Sequence, residues 1–165
     1  MSAFKNSLRQ HTIEAIKEAL LTAEKAAEVA KETATHKENV AENKYDTLGL
    51  EASYLAHGQS QRVHELRQSL YAYESLAFKD FEADDNIDLT ALVSLVADSG
   101  VSNMKKYFLI GPEMGGLKIN YQQRDIVVIT PQSPLGKQLM SKGLGDEVIL
   151  LVDKSPVVFV VEGIV

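Results

Sequence analysis

The run ITPQSPLGKQLMSKGLGDEVIL, Ile129 to Leu150, decides how the rest of the chain is read. It leaves a β-branched strand, turns between Pro131 and Pro134, continues as a short amphipathic segment, and re-enters an apolar strand after Gly143, Gly145 and Asp146. Pro134 suits the first turn of a helix, where the missing N–H is not needed, and Ser133 before it suits the N-cap. Leu135, Leu139 and Met140 give that helix one apolar face, and Gly143 or Gly145 is expected to stop it. A helix so placed between two strands is expected to pack across their sheet.

Around this unit the sequence predicts strands. TALVSLVA, KYFLI, DIVVIT, EVILLV and VVFVVEGIV are short β-branched or apolar runs, which gives about five strands in the last eighty or so residues. The intervening GPEMGG is neither a phosphate-binding Walker loop nor Gly-x-Gly-x-x-Gly, and it reads as a hairpin turn.

Composition changes near residue 80. Met1 to Phe78 holds two glycines, Gly49 and Gly58, and no proline, whereas the other eight glycines and all four prolines follow. Gly and Pro punctuate turns, so a helical half precedes a turn-rich half. AFKDFEADDNIDL between them carries Asp80, Glu82, Asp84, Asp85 and Asp88 and reads as an acidic linker over 79–88.

The first half has a seven-residue apolar period. Ile13, Ile16, Leu20, Ala23, Ala27, Ala30 and Ala34 alternate steps of three and four, while Glu14, Lys17, Glu18, Glu24, Lys25, Glu28, Lys31 and Glu32 fall outside that stripe. TATHKEN interrupts the pattern, which resumes at Ala41 and runs through Tyr45, Leu48, Ala52, Leu55, Gln59, Val63, Leu66, Leu70, Tyr73 and Ala77. Two long helices with a short connector are expected to close into an antiparallel hairpin with its tip near Thr35 to Asn39. The second helix, from about Val40 to Ala77, would be roughly 55 Å long. Such a hairpin is either a dimerisation rod or a probe that enters a cavity, and periodicity leaves both open.

Charge and composition exclude several classes. Seventeen Lys and Arg against twenty-three Asp and Glu give a net charge of -6, which opposes free-standing binding to nucleic acid by phosphate neutralisation. Zero cysteines exclude disulfides and thiolate metal sites. The N-terminus lacks the apolar run of a signal peptide and no stretch approaches the roughly 20 apolar residues of a membrane span, so a cytoplasmic protein without a membrane partner is expected. His11, His36, His57 and His64 lack metal-ligand spacing, since His57 and His64 are about 10 Å apart along a helix. No Gly-x-Ser-x-Gly motif or Cys/His pair suggests a nucleophile. Lys105, Lys106, Lys118 and Arg124 are either a basic face toward RNA or scattered surface charge.

The helical hairpin, the acidic linker, the small sheet, and SPLGKQLMSKGLGDEVILL followed by VVFVVEGIV together resemble the bacterial GreA/GreB transcript-cleavage factors. The resemblance spans nearly the whole chain. Its most specific element is Ser133 to Val148, and KENVAE, Lys37 to Glu42, is similar to the family's Lys-Glu-Asn-Ala-Glu tip. The resemblance implies an α+β fold with a long antiparallel coiled-coil hairpin at 1–78 and an FKBP-like β-sheet domain with one short helix at 89–165. It implies that the C-terminal domain binds the rim of the secondary channel of bacterial RNA polymerase, through Gln132, Ser133 and Pro134, while the short connector and doubled seam of the hairpin lead to the expectation of a monomer.

In the family the hairpin carries acidic tip residues to the polymerase active site, where they help hold a second magnesium ion and its water so that the polymerase cleaves backtracked RNA. Carboxylates suit magnesium, and a two-metal site needs extra oxygen ligands for its weakly held ion. The resemblance thus implies Glu38 and Glu42 as the tip carboxylates, with Glu38 on the shared magnesium. The protein has no cofactor of its own and is not itself an enzyme on this reading, and it meets nascent RNA only inside the polymerase complex. One departure stands out, because the acid usually found three residues before the tip Glu is Thr35 here. Glu42 or Asp46 then becomes the second acid, or the protein is a non-cleaving regulator of the secondary channel. An FKBP-like domain also raises peptidyl-prolyl isomerase activity, although the absence of Trp and the few aromatics leave little for an apolar proline pocket.

Overall fold

The computed structural model describes residues 2–35, 48–98 and 104–165. They form two compact units, Ile13–Glu74 on one hand and Met1–Thr12 with Ser75–Val165 on the other. The architecture is α+β, with long helices α1 (Ala3–Thr35) and α2 (Leu48–Ser75) followed by a six-stranded sheet and one short helix.

In the helical unit the heptad seam is the buried stripe. On α1, Ile13, Ile16, Ala23 and Ala30 are buried and Leu20, Ala27 and Ala34 half-buried, while the charged residues between them are largely exposed. On α2 the stripe passes through Val63, Leu66 and Tyr73. Lys17 pairs with Glu74 at 3.2 Å and Glu24 with Arg67 at 2.7 Å. One heptad forward on α1 is therefore one heptad back on α2, which makes the pair antiparallel. Both ion pairs are about half exposed, so they mark the register and add only tenths of a kcal/mol, about 0.2–1 each. Thr22, Thr33, Thr35, Ser53, Ser60 and Ser69 each donate a hydroxyl to the carbonyl four residues back, so these polar groups need no partner from outside their helix.

The expected tip, 36–39, and the helical stretch expected over 40–47 lie outside the described residues. α2 ends at Ser75, two residues before the expected Ala77. Leu55, expected on the seam, is 56 % exposed. It borders an open groove with Ala26, Val29 and Ala30, because the alanine-rich side of α1 offers no large side chain to close over it.

The sheet has the order β3-β4-β2-β1-β6-β5, with β1 at Leu92–Ala97, β2 at Lys105–Ile110, β3 at Lys118–Tyr121, β4 at Arg124–Ile129, β5 at Glu147–Val152 and β6 at Ser155–Ile164. β2 and β4 are parallel and every other neighbour is antiparallel. All five expected strands are present, and β3 is a sixth that the sequence did not announce. It closes on β4 through Gln122 and Gln123, both at positive φ (50° and 60°), and Asp153 and Lys154 (50° and 67°) make the same kind of turn between β5 and β6. Two consecutive left-handed residues are the signature of the I′ turn that matches strand twist.

One face of the sheet carries the main core. Val93, Leu95, Ile110, Phe159 and Val161 pack there with Leu139 of α3 (Pro134–Leu139), and Leu135 and Met140 pack around them. The other face holds Leu92, Leu109, Ile126 and Val128, all buried. The first turns of α1 lie against it, with the Phe4 ring 5.6 Å and the His11 ring 4.8 Å from that of Tyr121. Among the described residues, no helix is long and apolar enough to cross a membrane.

Candidate functional site

The turn singled out by the sequence is built around one hydroxyl. Ser133 Oγ donates to the Thr130 carbonyl at 2.7 Å and accepts the Gly136 N–H at 3.0 Å, while the Ser133 carbonyl accepts the Lys137 N–H at 2.9 Å. Ser133 is thus the N-cap of α3 and Pro134 occupies its first turn. The capping leaves Gln132 and Pro134 exposed and Ser133 half-buried, its hydroxyl already committed to the backbone. Of the three, Gln132 and Pro134 are the groups available to a partner, and Ser133 sets their geometry.

α3 ends earlier than expected. Met140 is its C-cap and Ser141 takes the left-handed conformation (φ 66°), two residues before Gly143. The Ser141 N–H is held by the Ile87 carbonyl at 3.0 Å, and that tertiary bond turns the chain where sequence reasoning looked for a glycine. Gly145, at φ 84°, serves the following turn instead. Gly136 matters for a different reason, since a Cβ there would overlap the Thr130 carbonyl oxygen that the capping network uses. Gly136→Ala is expected to cost about 1–3 kcal/mol, read as a lowered denaturation midpoint.

The tip residues Glu38 and Glu42, with Asp46, lie outside the described residues. Thr35, which stands where an acid was expected, is exposed, and its hydroxyl donates to the Lys31 carbonyl at 2.9 Å. The four basic residues considered as one face are divided by strand alternation. Lys105 and Arg124 project from the face opposite α3, while Lys106 and Lys118 project from the α3 side. His57 and His64 are exposed on α2 and His36 lies outside the described residues. Among the described residues, no three His, Cys, Asp or Glu are grouped as metal ligands.

The feature that sequence reasoning passed over is Lys5. Its side chain is wholly buried, and Nζ donates to the carbonyls of Thr90 at 2.5 Å and Val165 at 2.6 Å. The rings of Phe81 and Phe78 lie 5.0 and 5.8 Å from the ammonium. Asp80 accepts the Ser2 N–H at 2.8 Å, which holds its carboxyl down at about 2. The available signal was position, because Lys5, Leu8 and Thr12 continue the α1 stripe back from Ile16, and a lysine on a buried stripe requires dedicated acceptors.

Burial pushes the Lys5 ammonium down to about 8, and the charge of Asp80 offsets only part of that. The folded pKa lies below the unfolded value, so the unfolded chain holds the extra proton between the two. Folding stability is therefore expected to rise with pH from about 8 toward 10.5, by at most about 3 kcal/mol. Urea denaturation at stepped pH measures this, and Lys5→Met is expected to flatten the rise.

No family model matches the chain and no curated protein matches it. Solved structures similar to it include three that share most of its length. One is described as the crystal structure of GreA factor homolog 1 (Gfh1) protein of Thermus thermophilus, at 18% identity and TM-score 0.38, covering 92% of this chain and 93% of that one. A second, described as the structure of the transcription factor Gfh1, has 18% identity, TM-score 0.41 and 92% coverage of each chain. The third is Gfh1 of Thermus aquaticus, at 16% identity and TM-score 0.39 over 94% of each.

Proposed function

We propose that this protein is a bacterial transcription elongation factor that docks at the secondary channel of RNA polymerase and stimulates the polymerase's own cleavage of backtracked RNA. What supports the reading is the Ser133 to Val148 run together with the element order, an antiparallel helical hairpin followed by a sheet unit with an exposed Gln132–Pro134 turn. Gln132 and Pro134 contact the polymerase, and Ser133 shapes the turn. Glu38 and Glu42 lend carboxylate oxygens to a magnesium ion that belongs to the polymerase, a hard cation that prefers oxygen ligands. The chain catalyses nothing alone, acts as a cytoplasmic monomer, and meets RNA only within the complex.

A second reading rests on Thr35. A hydroxyl returned to its own helix carbonyl is no substitute for a carboxylate on magnesium. With one acid fewer the protein becomes a channel-binding regulator that does not stimulate cleavage. The deciding experiment is a cleavage assay on backtracked complexes of the cognate polymerase, using the full chain, because Lys5 and Leu8 are buried parts of the unit that holds the docking turn. Shortened RNA supports the first reading. Binding with slowed elongation and uncut RNA supports the second, and absence of binding overturns both.

A further inference from the structure

The face of the sheet opposite α3 carries a cavity that the proposed function does not use. Ser94 of β1 pairs with Tyr107 of β2, and Tyr107 pairs with Ile126 of β4, so alternation puts Ser94, Lys105, Tyr107 and Arg124 on one side. With Leu92 and Val165 they line a cavity of about 150 Å³. That is room for about five waters at about 30 Å³ each, and well below the roughly 300 Å³ at which small-molecule pockets begin.

Arg124 is the unusual member. Its guanidinium carbon lies 5.3 Å from the centre of the Tyr107 ring and 5.9 Å from that of Phe4, and the residue is half-buried. It pairs with no carboxylate among the described residues. The neighbouring acids are engaged elsewhere, Asp125 with the Asn120 side-chain amide at 2.8 Å and Glu162 with Lys105 and the Ser94 hydroxyl. A half-buried guanidinium beside two rings has part of its freedom and hydration already removed, so it is poised for a planar, two-pronged acceptor.

We propose that this cavity binds a single carboxylate, the acidic side chain of a protein partner, with Arg124 as the principal donor and the Tyr107 hydroxyl beside it. Charge selects the carboxylate. Lys105 is paired with Glu162, and the Lys5 ammonium is held by the Val165 oxygen at the cavity wall, which leaves Arg124 as the uncompensated charge and matches one carboxylate better than a doubly charged phosphate. Nucleic acid is disfavoured because its affinity comes from neutralising several phosphates at once, and this chain carries a net charge of -6. The inference stands on the sheet unit alone and does not depend on the polymerase reading.

The test uses the isotope-labelled full chain and follows the Arg124 Nε–H resonance by NMR during titration with N-acetylglutamate α-amide, inorganic phosphate and a short RNA. Saturable shifts of Arg124 by the glutamate probe are expected, without saturation at Arg67, whose partner Glu24 is already in place. Arg124→Gln is expected to weaken binding about tenfold or more. Glu162→Gln, which releases Lys105, is expected to tighten it severalfold, and this variant decides the matter if Arg124→Gln does not fold. Phosphate or RNA saturating Arg124 more tightly than the glutamate probe overturns the proposal. So does an Arg124→Gln affinity equal to wild type, or the absence of saturation with any probe.

Discussion

Replacing Glu38, Glu42 and Asp46 together by alanine is expected to abolish stimulated RNA cleavage while leaving polymerase binding nearly unchanged. On the proposed function these acids act only where the polymerase holds its second magnesium, so their loss removes ion ligands without touching the Gln132–Pro134 turn. A lost ligand at a metal-assisted reaction is expected to cost on the order of 10² in rate. The single variants then rank the three positions. Excess magnesium is expected to restore part of the rate to a single variant, because the defect lies in ion affinity. Thr35→Asp is expected to raise the rate if the natural site is one acid short. A triple variant that cleaves as well as wild type would falsify the assignment of all three.

Phe159→Ala is expected to cost the sheet unit about 3–5 kcal/mol, the range for deleting a buried aromatic ring. Phe159 is fully buried in the core that also receives Leu139, so the cavity left behind would loosen the seat of α3 and with it the Gln132–Pro134 turn. The loss is a large part of the roughly 5–15 kcal/mol that holds a domain together. Denaturant unfolding followed by circular dichroism measures it. Leu151→Ala on β5 is the matched control, since Leu151 is 75 % exposed and its removal is expected to change stability by no more than about 0.5 kcal/mol. A larger effect from Leu151→Ala than from Phe159→Ala would place the core on the other side of the sheet.

The helical hairpin was legible because its information is local and periodic. Steps of three and four residues from Ile13 to Ala34 report a buried stripe whatever it packs on, and the described part of α1 buries that stripe. Five strands and the cap of α3 were legible for the same reason, since β-branched runs and the Ser133-Pro134 pair act over a few residues. β3 was not legible. Its four residues KINY end in a Gln-Gln turn without the Asn-Gly or Asp-Gly signal, and the left-handed backbone of that turn is sustained by pairing with β4. The end of α3 was misread because Ser141 is turned by donating its N–H to the carbonyl of Ile87, more than fifty positions earlier, and not by a glycine.

The candidate sites divide along the same line. Sequence alone determined that Ser133 caps a helix and that Gln132 and Pro134 flank it, because a cap needs only the next turn of backbone. Tertiary structure alone decided that Lys5 is buried on carbonyls 85 and 160 residues away, that Lys106 and Lys118 part company with Lys105 and Arg124, and that Arg124 lies between Phe4 and Tyr107. Each depends on which strands are neighbours and in what register. Register is a property of the closed sheet, and shifting a strand by one residue would send its side chains, Lys105, Lys106, Lys118 and Arg124 among them, to the opposite face.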